Sequence, residues 1–174
     1  MELKNTKTEN NLIVAFAGES QARNKYSYYE KKAREEGYEQ IADIFKETAD
    51  NEKAHAEIWY RFIHGIKSTA ENLQDGVNGE NYEWTEMYKQ FAQDAFEEGF
   101  DDIGRLFEQV AIIEHKHEDR YQSLLNDLNA VKFFEGNASE WKCINCGHLH
   151  NGPNAPLVCP VCSYKQSYFE KNVK

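Results

Sequence analysis

The sequence predicts a mainly α-helical protein, in which a four-helix bundle is followed by a small C-terminal metal-binding module. Residues 8–131 carry apolar side chains at three- and four-residue steps, with no proline among them. A repeat divides this region into two similar halves. All three prolines and all four cysteines follow residue 140. We therefore expect a helical domain over residues 1–135, a linker at 136–139 and a second domain over 139–174.

Glycines mark the ends of the predicted helices. A glycine just past a helix end adopts the left-handed cap conformation without the cost that other residues bear. Gly37, Gly65 and Gly99 each follow an apolar-periodic segment. The pattern predicts helices over about 8–36, 38–64, 80–98 and 101–131, with a longer connection over 66–79.

The internal repeat has an offset of 62 residues. Its matched pairs are Gly37 and Gly99, Ile41 and Ile103, Phe45 and Phe107, Ala49 and Ala111, Glu52 and Glu114, and His55 and His117. Two helical hairpins of similar sequence predict a bundle with approximate two-fold symmetry.

The repeat places one Glu-x-x-His unit on the second helix and one on the fourth. Residues three apart share a helix face, so Glu52 and His55 can hold one metal, as can Glu114 and His117. Two such units, with one glutamate from each remaining helix, make the dinuclear site of bundle proteins. Without metal, the inward carboxylates would repel one another and be costly to desolvate. Mixed oxygen and imidazole ligands suit iron or manganese.

Helical phase selects the remaining acids. Glu19 is the acid centred on the apolar stripe of the first helix. On the third helix, Glu80 and Glu83 precede Trp84 and Met87 by four residues and join the inner face. Glu86 continues into a polar stripe and is expected at the surface.

Two tyrosines lie on the same stripes as these acids. Tyr26 follows Glu19, and Tyr88 follows Glu80. A buried phenol needs a hydrogen-bond partner, which a ligating carboxylate can supply. The pattern fits ordinary core aromatics equally well.

The C-terminal segment contains two Cys-x-x-Cys pairs: Cys143 with Cys146, and Cys159 with Cys162, twelve residues apart. This segment is too short to bury enough surface for a stable fold of its own. We therefore expect bound metal to contribute much of its stability. Four thiolates suit zinc or iron, and the spacing does not choose between them.

Composition excludes several classes of function. A net charge of −10 argues against nucleic acid as the main partner. The N-terminus lacks the apolar region of a secretory signal, and no apolar run is long enough to span a membrane. Clustered cysteines in a cytosolic protein favour metal binding over disulfides. We expect a cytoplasmic protein.

The chain resembles the rubrerythrin family over nearly its whole length. The residues that carry the resemblance are Ala15–Asn24, Glu47–His55, Gly79–Tyr88 and Trp141–Gly147. The family joins a ferritin-like di-iron bundle to a rubredoxin-like module, in this order. The resemblance implies a carboxylate-bridged di-iron centre, which can carry an oxo bridge, and one iron bound by four cysteines.

The resemblance also assigns roles to residues. The di-iron ligands would be Glu19, Glu52, His55, Glu80, Glu83, Glu114 and His117, with Glu52 and Glu114 bridging. One iron would exchange His55 for Glu83 on oxidation. Tyr26 and Tyr88 match tyrosines that support the ligands, so Glu83, His55, Tyr26 and Tyr88 are the expected catalytic residues. The iron of the second module would be held by Cys143, Cys146, Cys159 and Cys162.

The implied activity is reduction of hydrogen peroxide to water, as protection against oxidative stress. The resemblance also implies that electrons come from NAD(P)H through a separate reductase or rubredoxin. The chain has no dinucleotide-binding glycine motif of its own. A homodimer or larger homo-oligomer is expected. The alternatives are a ferroxidase or iron-storage protein, a di-iron oxygenase and a non-enzymatic electron-transfer or zinc-stabilised protein.

One residue departs from simple rubredoxins. Ser163 follows the second Cys-x-x-Cys pair, where glycine is usual. If that position requires a positive φ, the serine costs about 1 kcal/mol.

Overall fold

The computed structural model of the chain describes residues 2–130, 133–135 and 140–171. The chain divides into two compact units, Met1–Lys67 and Ser68–Lys174. No helix within the described ranges is both long and apolar enough to cross a bilayer. The predicted linker at 136–139 lies outside the described residues, and the predicted domain boundary stays a prediction.

The first unit is a helical hairpin. Helix α1 spans Lys7–Glu35 and helix α2 spans Glu39–Ile63. The Thr6 side chain accepts a hydrogen bond from the backbone N–H of Glu9 at 3.1 Å and caps α1. Gly37 has φ 82° and ends the helix as predicted. Both predicted helices are thus confirmed to within two residues at each end.

The second unit begins with three helical segments in a row. Helix α3 spans Thr69–Tyr82, a π-helical turn covers Glu83–Met87, and helix α4 spans Tyr88–Glu97. Helix α5 spans Asp101–Asn129. Gly99 has φ 84° and separates α4 from α5, as Gly37 separates α1 from α2.

The predicted connection over residues 66–79 is wrong, because α3 already begins at Thr69. Ser68 and Glu71 form a reciprocal capping box, whose Ser-x-x-Glu signature is present in the sequence. Gly76 and Gly79 lie within α3, and because glycine is unfavourable inside a helix, the pattern of this segment did not indicate one. One of them, Gly76, packs closely on another helix: a Cβ there would lie 3.1 Å from the Tyr121 ring.

The C-terminal module contains a small antiparallel sheet. Its strands are β1 (Glu140–Cys143), β2 (Leu149–Asn151) and β3 (Phe169–Lys171), in the order β2-β1-β3. The core of the module consists of Trp141, Cys143, Ala155, Cys159 and Phe169. Lys171 on β3 donates to Asp127 on α5 at 2.6 Å, which links the sheet to a helix of the same unit.

Candidate metal centres

The first unit brings together three of the predicted ligands. Glu19 comes from α1, and Glu52 and His55 come from α2; their ligand atoms all lie within 4.8 Å of one another. His55 Nδ1 is 2.9 Å from Glu52 Oε2 and 3.9 Å from Glu19 Oε1. The side chain of His55 is 51% exposed. The group is therefore an open cluster on one face of the hairpin.

The second unit repeats this arrangement. Glu80 on α3 and Glu114 and His117 on α5 also have their ligand atoms within 4.8 Å of one another. His117 Nδ1 lies 2.7 Å from Glu114 Oε2 and 3.5 Å from Glu80 Oε2. Six of the seven predicted carboxylate and histidine ligands thus fall into two equivalent groups of three.

The electrostatics of the second group fit a cation. Burial raises the pKa of Glu80, and the neighbouring Glu114 carboxylate raises it further. Carboxylates crowded in this way repel one another, and a divalent ion removes that penalty. Two carboxylate oxygens and an imidazole nitrogen are also the donor types that iron accepts. The residues present therefore fit the di-iron centre that the sequence predicts.

Glu83, the seventh predicted ligand, lies on the π-helical turn and joins neither group of three in the described residues. Its charge nevertheless raises the pKa of both Glu80 and Tyr88. Glu83 is half-buried, whereas Glu86 on the same turn is exposed, as the helical phase predicts. A π-helical turn adds one residue to a helical turn and changes the direction of its side chains, and such turns are frequent at functional sites.

The two predicted tyrosines occupy equivalent positions. The rings of Tyr26 and Phe45 have centroids 6.1 Å apart, and those of Tyr88 and Phe107 are 6.0 Å apart. Burial, followed by the charge of Glu83, raises the pKa of Tyr88, so this phenol keeps its proton to higher pH. The hydrogen bonds from these phenols to ligand carboxylates stay predictions.

A set of contacts that lies beside the second ligand group was not predicted from the sequence. The indole Nε1 of Trp84 donates to Glu118 at 2.5 Å, and Asn81 donates to the other oxygen of Glu118 at 3.1 Å. The Trp84 ring also stacks on His115 at 4.3 Å. These contacts fasten the π-helical turn to α5. The sequence did contain one indication of these contacts: Glu118 lies four residues after Glu114 and therefore near it on the same face of α5.

The four cysteines converge on one point. Their Sγ atoms all lie within 4.8 Å of one another, with Cys143 to Cys162 and Cys146 to Cys159 both at 3.7 Å. A metal–sulfur bond of about 2.3 Å in a tetrahedral site gives sulfur–sulfur edges of about 3.8 Å. The described cysteines are free of disulfides. The geometry is that of a four-thiolate metal site.

Each cysteine pair sits on the same kind of turn. The N–H of Gly147 donates to the carbonyl of Cys143 at 2.8 Å, and the N–H of Ser163 donates to that of Cys159 at 2.9 Å. Gly147 has φ 77° and Ser163 has φ 60°. The sequence left open whether the position of Ser163 has a positive φ, and the structure shows that it does.

Without a bound metal, ionisation of one thiol in this cluster makes ionisation of its neighbours less favourable. The side chain of Asn145 and the backbone of Tyr164 lower the pKa of Cys162 to about 6. The backbone of His148 favours the thiolate of Cys146, but desolvation and the neighbouring sulfurs raise its pKa to about 12. One thiolate thus suppresses ionisation of the next, and a bound cation is needed to hold all four as thiolates.

Two family models match the chain. The model "Rubrerythrin" matches residues 10–125, and the model "Rubrerythrin, rubredoxin-like domain" matches residues 141–170. Together they cover both carboxylate–histidine groups and all four cysteines.

Curated relatives match over nearly the full length. Rubrerythrin of Porphyromonas gingivalis is 44% identical, with 97% of this chain and 91% of the relative covered. Rubrerythrin of Nitratidesulfovibrio vulgaris is 41% identical, with 97% and 95% covered. Among solved structures, the fully reduced, all-ferrous state of nigerythrin matches at 32% identity, 97% and 90% coverage, and a TM-score of 0.39.

Proposed function

Because the chain belongs to the rubrerythrin family, we propose that it is a peroxidase that reduces hydrogen peroxide to water in protection against oxidative stress. The predicted cofactors, a di-iron pair and an iron bound by four cysteines, are confirmed by the family models together with the ligand groups. The observation that carries the proposal is that one chain holds both centres. A storage protein has no need of an attached electron carrier, whereas a peroxidase does.

The reaction requires two electrons and two protons for each hydrogen peroxide, and two water molecules leave. The carboxylate–histidine groups would hold a di-iron pair, which would supply two electrons for cleavage of the O–O bond, and the four cysteines would hold an iron suited to one-electron transfer. An NAD(P)H-dependent reductase or a rubredoxin is the proposed source of those electrons. Cys146 is exposed and Cys162 half-buried, so one edge of the four-sulfur cluster is accessible to an electron donor.

The protein residues would position the metal and the protons. We assign Glu19, Glu52, Glu80, Glu83, Glu114, His55 and His117 as ligands, with Glu52 and Glu114 bridging. His55 and Glu83 would exchange as ligands, since a carboxylate suits the more positive, oxidised pair better than neutral imidazole does.

Tyr26 and Tyr88 would orient carboxylates and donate hydrogen bonds in the site. Burial raises the pKa of Tyr88, so its hydroxyl stays protonated, and able to donate, further into the alkaline range. The cysteines, free of disulfides in the described residues, suit a reducing compartment, and we propose the cytoplasm.

The test is a single turnover. The iron-loaded protein is reduced without oxygen, and about 1.5 equivalents of hydrogen peroxide are added per chain, because three ferrous ions hold three electrons and each peroxide accepts two. The visible absorption of both centres is followed. We expect rapid oxidation of both centres. If oxidation is slow while added ferrous ion is taken up quickly, the protein handles iron and the peroxidase proposal fails.

A matched pair of variants tests the role of Glu83. Glu83→Ala should impair turnover and leave the four-cysteine absorption unchanged. Glu86→Ala, on the same π-helical turn but exposed, is the control and should turn over like the parent protein. Equal turnover in the two variants would remove Glu83 from the ligand set.

A further inference from the structure

The connection between the two helical hairpins is short. Helix α2 ends at Ile63 and helix α3 begins at Thr69, so residues 64–68 join them. Even fully extended, the six steps from residue 63 to residue 69 reach at most about 22 Å. This limit follows from the helix ends alone, because helix α3 occupies most of the segment that the sequence predicts as a long connection.

A ferritin-like bundle needs a longer connection. Its second and third helices are joined by a crossover that runs along the bundle, so they lie parallel and the connection joins opposite ends. From Glu52 to Ile63 is eleven residues, or about 17 Å of helix, and from Thr69 to Glu80 is about 17 Å more. If Glu52 and Glu80 meet at one level, the connection must cover about 33 Å along the bundle. Residues 64–68 cannot reach that far.

The helices that carry the Glu-x-x-His units also leave apolar side chains uncovered on the histidine face. At about 100° per residue, the following residues lie within about 60° of His55 or His117 around their helix. On α2 they are Ile41, Ile44, Ile58 and Phe62, which are 47–64% exposed; on α5 they are Ile103, Leu106 and Ile113, which are 47–59% exposed. Ile41 and Ile103, like Ile44 and Leu106, are equivalent in the repeat. Both hairpins thus present matching apolar faces around an open ligand group.

The buried side chains of the helices are small. Among the described helical residues they are Ala33, Ala42, Ala49, Ala56, Val77, Ala92, Ala95 and Leu125, with Gly104. A pair of helices buries a narrow seam, and its large apolar side chains need a further layer. Exposed large apolar side chains that share one helix face mark an interaction site.

Each ligand group is half of a dinuclear donor set. The first unit offers one glutamate and one Glu-x-x-His unit, and the second offers the same with Glu83 in addition. The complete set of a carboxylate-bridged pair takes two glutamates and two such units. The surface that complements either hairpin, in both ligands and apolar residues, is therefore the hairpin of the other type.

We propose that each di-iron site forms between two copies of this chain, with residues 7–63 of one copy packed against residues 69–129 of the other. The proposal rests on the di-iron ligand set proposed above. Exchange of hairpins removes the need for the long connection, because each short connection then leads from one bundle into the next. It also buries both apolar faces and completes two equivalent sites per dimer.

Complementation between two defective chains tests this arrangement. The first variant carries Glu52→Ala and His55→Ala, and the second carries Glu114→Ala and His117→Ala. Each receives a different affinity tag, the two are co-expressed, and the doubly tagged species is isolated. Iron beyond that bound by the four cysteines is then counted, and peroxide turnover is measured on the same sample.

The exchanged dimer should place both defects in one site and leave the other intact. We expect each variant alone to bind no iron pair, and the doubly tagged dimer to bind one pair, half of the parent value. If the doubly tagged dimer binds no iron pair, each site lies within one chain and the proposal is overturned. Iron pairs in either variant alone would instead mean that like hairpins pair, which also overturns it. Restored iron without peroxide turnover would uphold the shared site and refute the peroxidase function.

A second measurement does not depend on ligand variants. A flexible insertion of about 12 Gly and Ser residues between Gly65 and Ile66 would add about 40 Å of reach and let one chain close its own bundle. At high dilution in a sedimentation experiment, we expect this variant to have the mass of one chain and the parent protein the mass of two, at 20.3 kDa per parent chain. The same insertion after Glu135 is the control and should sediment as the parent does. A monomeric parent that binds the iron pair would overturn the proposal.

Discussion

Ser163 offers a sharp test of the cysteine module because its backbone is strained at a defined place. The residue has φ 60°, a conformation that favours glycine, and it follows the second cysteine pair as Gly147 follows the first. Its side chain is exposed, so Ser163→Gly removes little packing. The substitution should therefore act through the backbone alone.

The expected gain is the difference between two opposing effects. A left-handed backbone costs an L-residue about 1–2 kcal/mol, which glycine avoids. Glycine also loses more backbone freedom on folding, which costs about 0.5–1 kcal/mol. We expect Ser163→Gly to stabilise the module by about 0.5–1 kcal/mol, up to a factor of about five in the unfolding equilibrium.

The assay is guanidinium unfolding of the iron-loaded protein, followed through the absorption of the four-thiolate centre. The midpoint should rise at an unchanged slope, because the surface exposed on unfolding is the same. Gly147→Ser, at φ 77°, should lower the midpoint by a similar amount. Ser167→Gly is the control, since Ser167 is exposed and has no positive φ; it should not raise the midpoint. An unchanged or lower midpoint for Ser163→Gly would refute the strain argument.

Three further outcomes are expected. Glu118→Ala should lower the free energy of unfolding by about 1 kcal/mol, because the half-buried indole N–H of Trp84 loses a charged acceptor. Glu118→Gln should restore part of this loss, and equal melting temperatures in the parent and both variants would contradict the prediction. Gly104→Ala should destabilise the protein although alanine favours helix, because a Cβ there would lie 2.5 Å from the Phe96 ring. Adding Phe96→Ala should reverse this loss of stability, and additive effects of the two substitutions on the melting temperature would contradict the prediction. In metal-free protein whose C-terminal module is folded, as shown by the fluorescence of the buried Trp141, one thiol should titrate near pH 6, since the side chain of Asn145 lowers the pKa of Cys162 to about 6. Because this pKa is lowered in the folded state, the associated stability is present at high pH and is lost as the pH falls through about 6. Ultraviolet absorption of the thiolate measures the titration. If the titration near pH 6 persists in Cys162→Ser, its assignment to Cys162 is wrong.

Much of the helical region could be predicted from sequence. Glycine caps at Gly37 and Gly99, together with apolar periodicity, located both ends of the first two helices and the start of α5. These signals are local, because a left-handed cap depends on one residue and its neighbours. The start of α3 was placed too late because Gly76 breaks the propensity pattern. Its packing against Tyr121, which is distant in sequence, is what keeps the glycine inside a helix.

By itself, the sequence predicted which residues would bind metal and how they are paired. The spacing of Glu52 with His55 and of Cys143 with Cys146 sets a shared face or a shared turn, and such spacing survives any tertiary arrangement. Only the tertiary structure showed that six of the predicted ligands form two open groups of three. It also showed that Glu83 lies on a π-helical turn, which the hydrogen bond from Trp84 to Glu118 holds against α5. Those features depend on packing between helices far apart in the chain and on where α3 begins, neither of which a local residue pattern specifies.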